Sequence, residues 1–395
     1  MPFFDTLELL PDDPLFSIPT LYAADKRHEK IDLSLGVYHD DIGRLPILKC
    51  IRQAEDLLHE KHADKKYLPI DGHHEFIHQT LHLIFGDKIP LDTVYGAQTV
   101  GGTSALRIAG ELLLRAGNRD IYLPDSTWPN HKMVFSYAGL NVLTYPYYNA
   151  KEQSLEFEKM CAAIKTIPEG SAILLHTCCH NPTGVDPTYE QWAELSKLIL
   201  KQKLLVLFDC AYQGFAVDLD TDVSPIRLFQ AQGNDVLVAY SFSKNLGLYG
   251  ERVGLLALAP AHQRSLPSVR SQVKQIIRSS YSNPPLEGAR LALAVLESPE
   301  LKELWIKELA SMQNRVEFVR KALSEGLYEA TGQDFSFLTG QKGLFSFLGL
   351  TAIQVKQLRE QFAIYMPANG RINLAGLNLN TIDYVIEAIC AILSS

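Results

Sequence analysis

The chain of 395 residues carries a formal net charge of −8 at pH 7, with 47% hydrophobic and 21% charged residues. This acidic balance, without a basic stretch to neutralise phosphates, argues against sequence-independent binding of nucleic acid. No apolar run is long enough to span a bilayer, and acidic residues interrupt the apolar N-terminus, so neither a membrane protein nor a secreted one is predicted. We expect a cytoplasmic protein of two or three domains.

Cysteine and histidine positions do not predict a metal site. The six cysteines show no C-x-x-C pair and no short repeated spacing, so most are expected to be small buried residues: Cys50, Cys161, Cys178, Cys179, Cys210 and Cys390. His74, His78 and His82 would share one face of a helix, where a metal is conceivable. Because no carboxylate or cysteine ligand follows at a matching spacing, a solvated helix face is the better interpretation, and no metal is predicted.

The first part of the chain predicts an arm that leads into a loop. Prolines interrupt residues 1–31, and a short helix is expected to begin at Ser17. A short strand in IDLSLGVY then runs into a glycine turn at Gly36, and such a loop can act as a lid over a site. A helix is predicted over residues 47–61, and Tyr67 precedes a proline turn into the next helix.

A glycine-rich helix start is the first sign of a ligand. In TVGGTSALRIAGELLLRAG, Gly102, Thr103 and Ser104 lead directly into an apolar-periodic helix, so backbone N–H groups and two hydroxyls stand at a helix N-terminus. Phosphate groups are favoured at such a position. The segment matches neither the dinucleotide fingerprint nor Walker A, and a helix start of this kind, taken alone, is more often only an N-cap. The strand predicted next leads through a turn to Trp128.

Three later apolar runs each end in polar residues. SAILLHTCCHNPTG ends in a turn with Asn181, KLLVLFDCAYQGF ends in Asp209 and Tyr212, and DVLVAYSFSK ends in Ser241, Ser243 and Lys244. A helical pattern separates the first two runs. Alternating strands and helices predict a parallel sheet with right-handed crossovers, so all three polar clusters should meet at its carboxyl edge.

The most informative of these side chains is Lys244. It follows a strand that is apolar throughout, and Gly247, Gly250 and Gly254 come too soon afterwards for a helix to begin directly. An irregular turn at the carboxyl end of a strand is where open α/β sheets bind ligands. We therefore interpret Lys244 as a Schiff-base lysine, against the commoner alternative of a solvated surface lysine.

The C-terminal part has the composition of a separate α/β unit. A helical region over 265–288 breaks at YSNPPLEG, and one long helix is predicted from 289 to about 325. DFSFL and GLFSFLGL are predicted strands, TAIQVKQLREQFA a helix, AIYMPANGRINLAG a strand pair or loop, and TIDYVIEAICAILSS a closing helix. We place a domain boundary inside the long helix, which gives an N-terminal arm (1–45), a large domain (46–305) and a C-terminal domain (306–395).

Together these residues are what pyridoxal phosphate requires. A lysine forms an imine with the cofactor aldehyde, a carboxylate keeps the pyridine nitrogen protonated, and a helix start docks the phosphate. Asp209 fits the pyridine partner, while Asn181 and Tyr212 would donate to the phenolate oxygen and Trp128 could stack on the ring. Arg252 can add a charge-assisted bond to the phosphate beside Ser241 and Ser243.

The same segments carry a family resemblance. SFSKNLGLYGERVG, HTCCHNPTGVDPT, FDCAYQGF, YSNPP, GLFSFLGL and GRINLAG resemble, in matching order over nearly the whole chain, the fold-type I aminotransferases that act on aspartate and aromatic amino acids. The resemblance implies an α/β fold: a large domain with a mostly parallel central sheet flanked by helices, and a smaller α/β domain built from the N-terminal arm and the C-terminal segment. It implies ping-pong transamination with 2-oxoglutarate.

Further roles follow from the resemblance alone. Lys244 is implied as both the internal aldimine and the base that moves the substrate proton. Arg371 resembles the clamp on the substrate α-carboxylate, and Arg278 resembles the arginine that reaches from a neighbouring subunit to a side-chain carboxylate. Tyr67 resembles a tyrosine that crosses to the partner's cofactor phosphate, so a homodimer with shared active sites is implied. Gly36 matches the mobile loop that closes over substrate.

The specificity and some rival functions stay open. Leu45 makes the predicted rim more apolar, whereas Thr103 and Asn283 look like aspartate-type choices, so dual specificity is expected and a strictly aspartate-specific enzyme is the alternative. A β-lyase or a decarboxylase could use the same lysine and aspartate, although Arg278 favours dicarboxylate substrates. A cofactor-binding regulator would need a DNA-binding module, for which the chain has no room, and a nicotinamide dehydrogenase lacks its fingerprint.

Overall fold

The structure is a computed structural model, and it describes residues 4–13, 15–62 and 64–394. The helices within these ranges are α1 (Ser17–Ala24), α2 (Lys49–Glu60), α3 (His74–Phe85), α4 (Gly101–Arg115), α5 (Asn130–Tyr137), α6 (Phe157–Ile164), α7 (Tyr189–Lys201), α8 (Ser224–Ala231), α9 (Leu266–Ser280), α10 (Glu287–Glu297), α11 (Pro299–Thr331), α12 (Phe337–Gly340), α13 (Ala352–Phe362) and α14 (Ile382–Leu393).

The strands are β1 (Ile31–Asp32), β2 (Tyr95–Val100), β3 (Asp120–Pro124), β4 (Asn141–Tyr145), β5 (Tyr148–Asn149), β6 (Ser154–Leu155), β7 (Ala172–His176), β8 (Leu205–Cys210), β9 (Val236–Ser241), β10 (Val253–Ala259), β11 (Phe345–Phe347), β12 (Ile364–Tyr365) and β13 (Arg371–Asn373). Single 3₁₀ turns lie at Leu91–Thr93, Thr221–Val223, Gln263–Ser265 and Leu374–Gly376.

A seven-stranded sheet forms the centre of the molecule, in the order β2-β10-β9-β8-β7-β3-β4. β10 runs antiparallel to both of its neighbours, and the other strands run parallel. Every residue of β7, β9 and β10 is buried. Because these strands are covered on both faces, they are largely apolar instead of alternating, as predicted for β7 and β9, whereas β10 was not predicted.

Helices cover the two faces of this sheet. On one face, α4 and α9 pack through Leu106 and Ile276 against strand residues such as Leu256. On the other face, α3, α7, α8, α10 and α11 pack against strand residues such as Phe208 and Leu255. The layered architecture confirms the predicted fold class, and it presents the carboxyl ends of β7, β8 and β9 at one edge.

A smaller α/β unit joins the two ends of the chain. β1 pairs in parallel with β12, so Ile31 lies opposite Ile364, and β11 pairs antiparallel with β13, so Phe347 lies opposite Arg371. α13 and α14 belong to the same unit and contribute Leu358 and other apolar residues to the larger core. This arrangement confirms that N-terminal and C-terminal segments build one smaller unit.

Some predicted elements differ from the structure. The helix predicted over 289–325 is two helices, because Ser298 caps a new helix by accepting from the N–H of Leu301 and Pro299 occupies its first position. DFSFL is not a strand: Asp334 accepts the N–H of Ser336 and the chain turns into α12. The segment after α13 does form two strands, but they pair with β1 and β11 instead of with each other.

None of the helices in the described ranges combines the length and apolar composition needed to cross a membrane.

Candidate active site

A cavity of about 480 Å³ opens at the carboxyl ends of β7, β8 and β9. Its walls bring together residues that are far apart in sequence, including most of the predicted site residues. Those that line it are Gly36, Gly102, Thr103, Trp128, Asn181, Asp209, Tyr212, Ser241, Ser243, Lys244, Arg252 and Arg371. A cavity of this size, with a few converging polar groups, is typical of a small-molecule site.

Lys244 lies just beyond the end of β9, in the irregular turn that the glycines predict. Its Nζ atom stands 5.1 Å from the centroid of the Tyr212 ring. Burial lowers the pKa of Lys244 to about 8; the charge of Asp209 opposes this shift, and those of Arg252 and Arg371 add to it. About a tenth of the amine is then unprotonated at pH 7, far more than for an ordinary lysine, and the unprotonated amine is the form that attacks a carbonyl.

Asp209 is the last residue but one of β8, and a hydrogen bond from a histidine helps to keep its carboxylate ionised. Its Oδ2 atom lies 3.0 Å from Nε2 of His131, a ring with no exposed surface. Burial alone raises the pKa of Asp209, but the hydrogen bond from His131 and the positive groups nearby outweigh it, so the pKa lies below its usual value. The carboxylate is ionised and can hold a proton on a neighbouring nitrogen.

A chain of hydrogen bonds extends from this carboxylate. Oγ1 of Thr127 lies 2.9 Å from Nδ1 of His131 and 2.9 Å from Nε2 of His176. Burial lowers the pKa of His176 to about 3, so this ring is neutral. With His131 in its neutral form, these distances fit a chain in which His176 donates to Thr127, Thr127 donates to His131, and His131 donates to Asp209.

Arg371 faces the cavity from β13 and lacks an acidic partner in the part of the chain that the structure describes. It donates from Nη1 to Oδ1 of Asn181 at 3.2 Å and from Nη2 to the carbonyl of Ser34, while its buried Nε has no acceptor. Its guanidinium carbon lies 4.1 Å from the centroid of the Phe345 ring, and burial lowers its pKa to about 10. An unpaired buried guanidinium with a free donor fits a carboxylate ligand.

Opposite Arg371, the start of α4 and the turn after β9 form a cup of donors. Arg252 donates to Oγ of Ser243 at 3.3 Å, and Oγ of Ser241 donates to the same oxygen at 3.1 Å. The two segments are in close contact. A Cβ on Gly101, whose φ is +71°, would lie 2.5 Å from Nη2 of Arg252. Only glycine fits this position, and the cup suits a phosphate group.

These walls fit the cofactor predicted from the sequence, pyridoxal phosphate. The cup supplies donors and an arginine without a carboxylate partner among the described residues, as a phosphate requires. Lys244 supplies the amine and Asp209 the ionised carboxylate, and both line the same cavity. The unpartnered Nε of Arg371 leaves a place for a second anion, distinct from the phosphate.

A family model, described as aminotransferase class I and II, matches residues 28–389. The chain belongs to this family. Aspartate aminotransferase of Salmonella typhi is 42% identical over 395 residues, which cover 99% of this chain and all of the relative.

Solved structures show the same relationship. An aromatic-amino-acid aminotransferase from Burkholderia pseudomallei, covalently bound to pyridoxal phosphate, is 41% identical with a TM-score of 0.97 over the whole of both chains. Aspartate aminotransferase from the cytoplasm of Saccharomyces cerevisiae is 40% identical with a TM-score of 0.97, covering 99% of this chain and 98% of that one. The predicted family, and with it the activity of amino-group transfer, is confirmed.

Four predicted residues of this aminotransferase do not line the cavity. Ser104 lies beside the side chain of Tyr281 instead. Tyr67 is 92% exposed, and Arg278 is exposed near the end of α9, where it donates to Oγ of Ser282. Leu45, expected at the rim, is half-exposed and lies outside the cavity walls. The roles assigned to these residues remain predictions.

Sequence reasoning missed several residues of the aminotransferase site. No sequence pattern around His131 indicated a role, because it lies on α5 and is close to Asp209 only in the folded structure. His176 could have been found, since it ends β7 directly opposite Asp209 in the register of the parallel strands. Tyr249 also lines the cavity, and its hydroxyl oxygen accepts the N–H of Tyr38 at 3.0 Å.

The predicted lid contacts the substrate side of the cavity. A Cβ on Gly36 would lie 2.5 Å from Cζ of Phe345, the ring that covers Arg371. The loop thus approaches this ring as closely as a residue without a side chain permits. Leu35, Gly36 and Val37 line the same cavity as Arg371.

Proposed function

We propose that this aminotransferase uses pyridoxal phosphate to transfer an amino group between 2-oxoglutarate and either aspartate or the aromatic amino acids tyrosine and phenylalanine. The observation that carries the proposal is the shared cavity, in which the amine of Lys244, with its lowered pKa, faces an arginine that has a free buried donor. An amino acid presents an amine and a carboxylate close together, so both groups find partners here.

Each residue of the site has its own role in the proposed reaction. Lys244 provides the amine that binds the cofactor aldehyde, and afterwards it is the group that can carry a proton to and from the substrate Cα. Asp209, held by His131, keeps the ring nitrogen protonated. When bound, the cofactor supplies an electron sink for the bond broken at Cα. Arg371 orients the substrate through its carboxylate.

The phosphate is assigned to the cup formed by Gly102, Thr103, Ser241, Ser243 and Arg252. Thr103 and Gly102 present backbone N–H groups at the start of α4, where the helix dipole favours an anion. Asn181 and Tyr212 line the same cavity as the lysine and are assigned as donors to the cofactor's phenolate oxygen. Trp128 is assigned to the ring face.

Acceptance of aromatic substrates is supported by a second cavity of about 670 Å³ that adjoins the first. The two share four lining residues, so a side chain that extends from the site can enter the second cavity: Leu15, Phe16, Trp128 and Arg371. Its other walls are mainly apolar, and they include Ile18, Leu21, Val355 and Met366. A Phe or Tyr side chain buried there would gain about 25 cal/mol for each Å² removed from water.

Acceptance of aspartate requires a further cation for the side-chain carboxylate. The cations that line the cavity are already assigned: Arg252 to the phosphate, Lys244 to the cofactor aldehyde and Arg371 to the α-carboxylate, and no other cation of the described residues lines it. Arg278 is exposed and has no acidic partner in the ranges that the structure covers. Tyr67 is likewise exposed, at 92%. We propose that both reach the active site of a second copy, so that the enzyme is a homodimer with shared sites. Leu7, Leu9 and Leu10 are exposed apolar side chains that a partner would cover.

A cytoplasmic location completes the proposal. It is supported by the relative from yeast cytoplasm and by the six free cysteines, of which five are buried. Thiols without disulfide bonds are usual in a reducing compartment.

The deciding experiment is a substrate panel. The purified enzyme with pyridoxal phosphate is given 2-oxoglutarate and one of aspartate, tyrosine, phenylalanine or leucine, and glutamate formation is measured. We expect glutamate with aspartate and with at least one aromatic donor, and little with leucine. Glutamate from aspartate alone would support the strictly aspartate-specific alternative. Release of ammonia with pyruvate, or of CO₂, without glutamate would support a β-lyase or a decarboxylase and would overturn the proposal.

A further inference from the structure

A small cavity away from the active site contains buried polar atoms without partners. It has a volume of about 190 Å³ and lies between α3, the start of β2 and the middle of α9. Its polar wall consists of Asp71, His74, His78, Tyr95, Arg270 and Lys274. The active site does not use any of these residues, and two of them belong to the histidine face that the sequence analysis left without a role.

Two groups in this wall are nine-tenths buried and incompletely bonded. Tyr95 is 4% exposed, and its hydroxyl has no hydrogen-bond partner among the described residues. Asp71 is 5% exposed; its Oδ2 pairs with Nζ of Lys274 at 2.9 Å, but its Oδ1 has no partner in the same ranges. Buried polar groups nearly always form hydrogen bonds. A donor and an acceptor that both lack a partner in one cavity therefore indicate a bound molecule.

The charges around the cavity favour an anion. Arg270 and Lys274 contribute two positive charges against the single negative charge of Asp71, before the two histidines are counted. Arg270 makes no ion pair within the structure's described part, and its guanidinium carbon stands 5.4 Å from the centroid of the Tyr95 ring. Burial, and then the charge of Asp71, raises the pKa of Tyr95, so its hydroxyl remains a donor.

An ordinary anion would not satisfy Asp71, because its Oδ1 atom can only accept a hydrogen bond. The occupant therefore needs oxygens that accept from Tyr95 and Arg270, and one O–H that donates to Asp71. Hydrogen phosphate has this combination at neutral pH, whereas sulfate carries no proton and would place an oxygen against the carboxylate. About six waters would fill the same space at roughly 30 Å³ each, so the volume admits a tetrahedral oxyanion together with water.

We propose that this cavity is a binding site for inorganic hydrogen phosphate, and that Asp71 selects it over sulfate. The site is independent of the proposed transamination, because none of its residues lines the active-site cavity. A backbone hydrogen bond connects it to the active site: the N–H of Gln98, in β2, donates to the carbonyl of Asp71 at 2.8 Å. β2 is followed directly by the start of α4, which forms part of the phosphate cup.

The test uses the holoenzyme, in which the cofactor's own phosphate occupies the cup, with saturating succinate to cover Arg371. Binding of inorganic phosphate, methyl phosphate and sulfate is measured by titration calorimetry in the wild type and in the Tyr95→Phe and Arg270→Gln variants. We expect phosphate to bind at least about tenfold more tightly than sulfate, and each variant to lose about tenfold or more in phosphate affinity. Methyl phosphate, mostly a dianion at pH 8, should bind more weakly than inorganic phosphate.

Arg264→Gln is the matched control, since it removes an exposed arginine that does not line the cavity. It should leave phosphate affinity unchanged. Asp71→Asn gives a further readout, because an amide also donates and should bring sulfate affinity close to that of phosphate. Equal binding of phosphate and sulfate by the wild type, or equal phosphate affinity in the wild type, Tyr95→Phe and Arg270→Gln, would overturn the proposal and leave water as the occupant.

Discussion

Nε2 of His131 lies 3.0 Å from Oδ2 of Asp209, and the two residues come from different elements, α5 and β8. The histidine is fully buried, and it contacts the carboxylate instead of the cavity. Its contribution to catalysis is therefore indirect: it fixes the charge and orientation of the one acid that faces the cofactor's ring nitrogen in the proposed reaction.

Replacing His131 tests this relationship. His131→Asn removes the hydrogen bond that lowers the pKa of Asp209, so that pKa should rise and the acidic limb of the kcat/KM profile should move to higher pH. Loss of a hydrogen bond to a charged group costs about 1.5–3 kcal/mol, which corresponds to about a 10- to 150-fold decrease in kcat/KM. His59→Asn, an exposed histidine on α2, is the control, and an unshifted profile in His131→Asn would contradict the assignment.

Lys244 should reduce the stability of the cofactor-free protein. Its folded pKa, about 8, lies below the ordinary value of 10.5, so the folded state binds fewer protons than the unfolded state between these two pH values. The cost is fully present below pH 8 and is relieved as the pH rises toward 10.5. Lys244→Met should therefore abolish activity but stabilise the apoprotein at pH 7 by roughly 2–3 kcal/mol.

Urea unfolding at pH 7 and pH 10 measures this effect. The difference between Lys244→Met and the wild type should shrink at the higher pH. Lys26→Met, which removes an exposed lysine, should differ little from the wild type at either pH. A Lys244→Met protein that is less stable than the wild type at pH 7 would show that the lysine is not strained by burial.

Two glycines near the phosphate cup offer a matched pair. In Gly101→Ala the new Cβ meets Arg252 at 2.5 Å and the backbone is held at a φ of +71°, so the cup must open. Strain of this kind costs about 1–3 kcal/mol, and we expect cofactor affinity to fall by about 5- to 150-fold. Gly250 has open space around its Cβ position and no positive φ. Gly250→Ala should therefore bind pyridoxal phosphate like the wild type in a fluorescence titration, and equal losses in both variants would argue against the cup.

Replacing each of the two arginines that are proposed to bind carboxylates should impair a different set of substrates. Arg371→Gln leaves every amino acid without its α-carboxylate partner, which costs about 2–5 kcal/mol, so kcat/KM should fall about 30-fold to several thousand-fold for aspartate and phenylalanine alike. Arg278→Ala should impair aspartate by a similar factor and spare phenylalanine. An equal decrease in kcat/KM for both substrates in Arg278→Ala would show that this arginine does not bind the substrate side chain.

The same variants test whether the active sites are shared. An enzyme carrying only Lys244→Met is inactive, and one carrying only Arg278→Ala is poor with aspartate. In a mixed dimer, however, one site combines an intact Lys244 with an intact Arg278 from the other chain. Unfolding and refolding the two variants together should restore aspartate activity, to about a quarter of the wild-type level for random pairing of equal amounts. No recovery would place Arg278 in its own chain's site.

Much of this architecture is predictable because the site follows buried strands. An apolar run that ends in Asp209 or Lys244 fixes both the strand and the edge at which its polar end emerges, so the lysine, the acid and the asparagine could be placed together. Ser104 shows where such reasoning stops. The helix start was correctly predicted, but each helical residue rotates by about 100°, and the fourth one faces Tyr281 instead of the cavity.

Contacts between distant elements were harder to foresee. His131 meets Asp209 across 78 residues, and no local pattern links them. The end of one helix and the start of the next at Ser298 could have been predicted, since a serine followed by a proline is a common helix start. The apolar periodicity continues on both sides, however, and favoured a single helix. The short strands of the smaller unit are two or three residues long, too short for any period to appear.

The pairing of β1 with β12 has a consequence for biosynthesis. Ile31 and Ile364 are 333 residues apart (364 − 31), and a ribosome adding roughly 5–20 residues per second needs about 17 to 67 s to deliver the second after the first. During that interval the whole central sheet leaves the ribosome, while the strand made first waits without a partner. β1 is thus synthesised well before β12, and the two strands can pair only after the central sheet has been made.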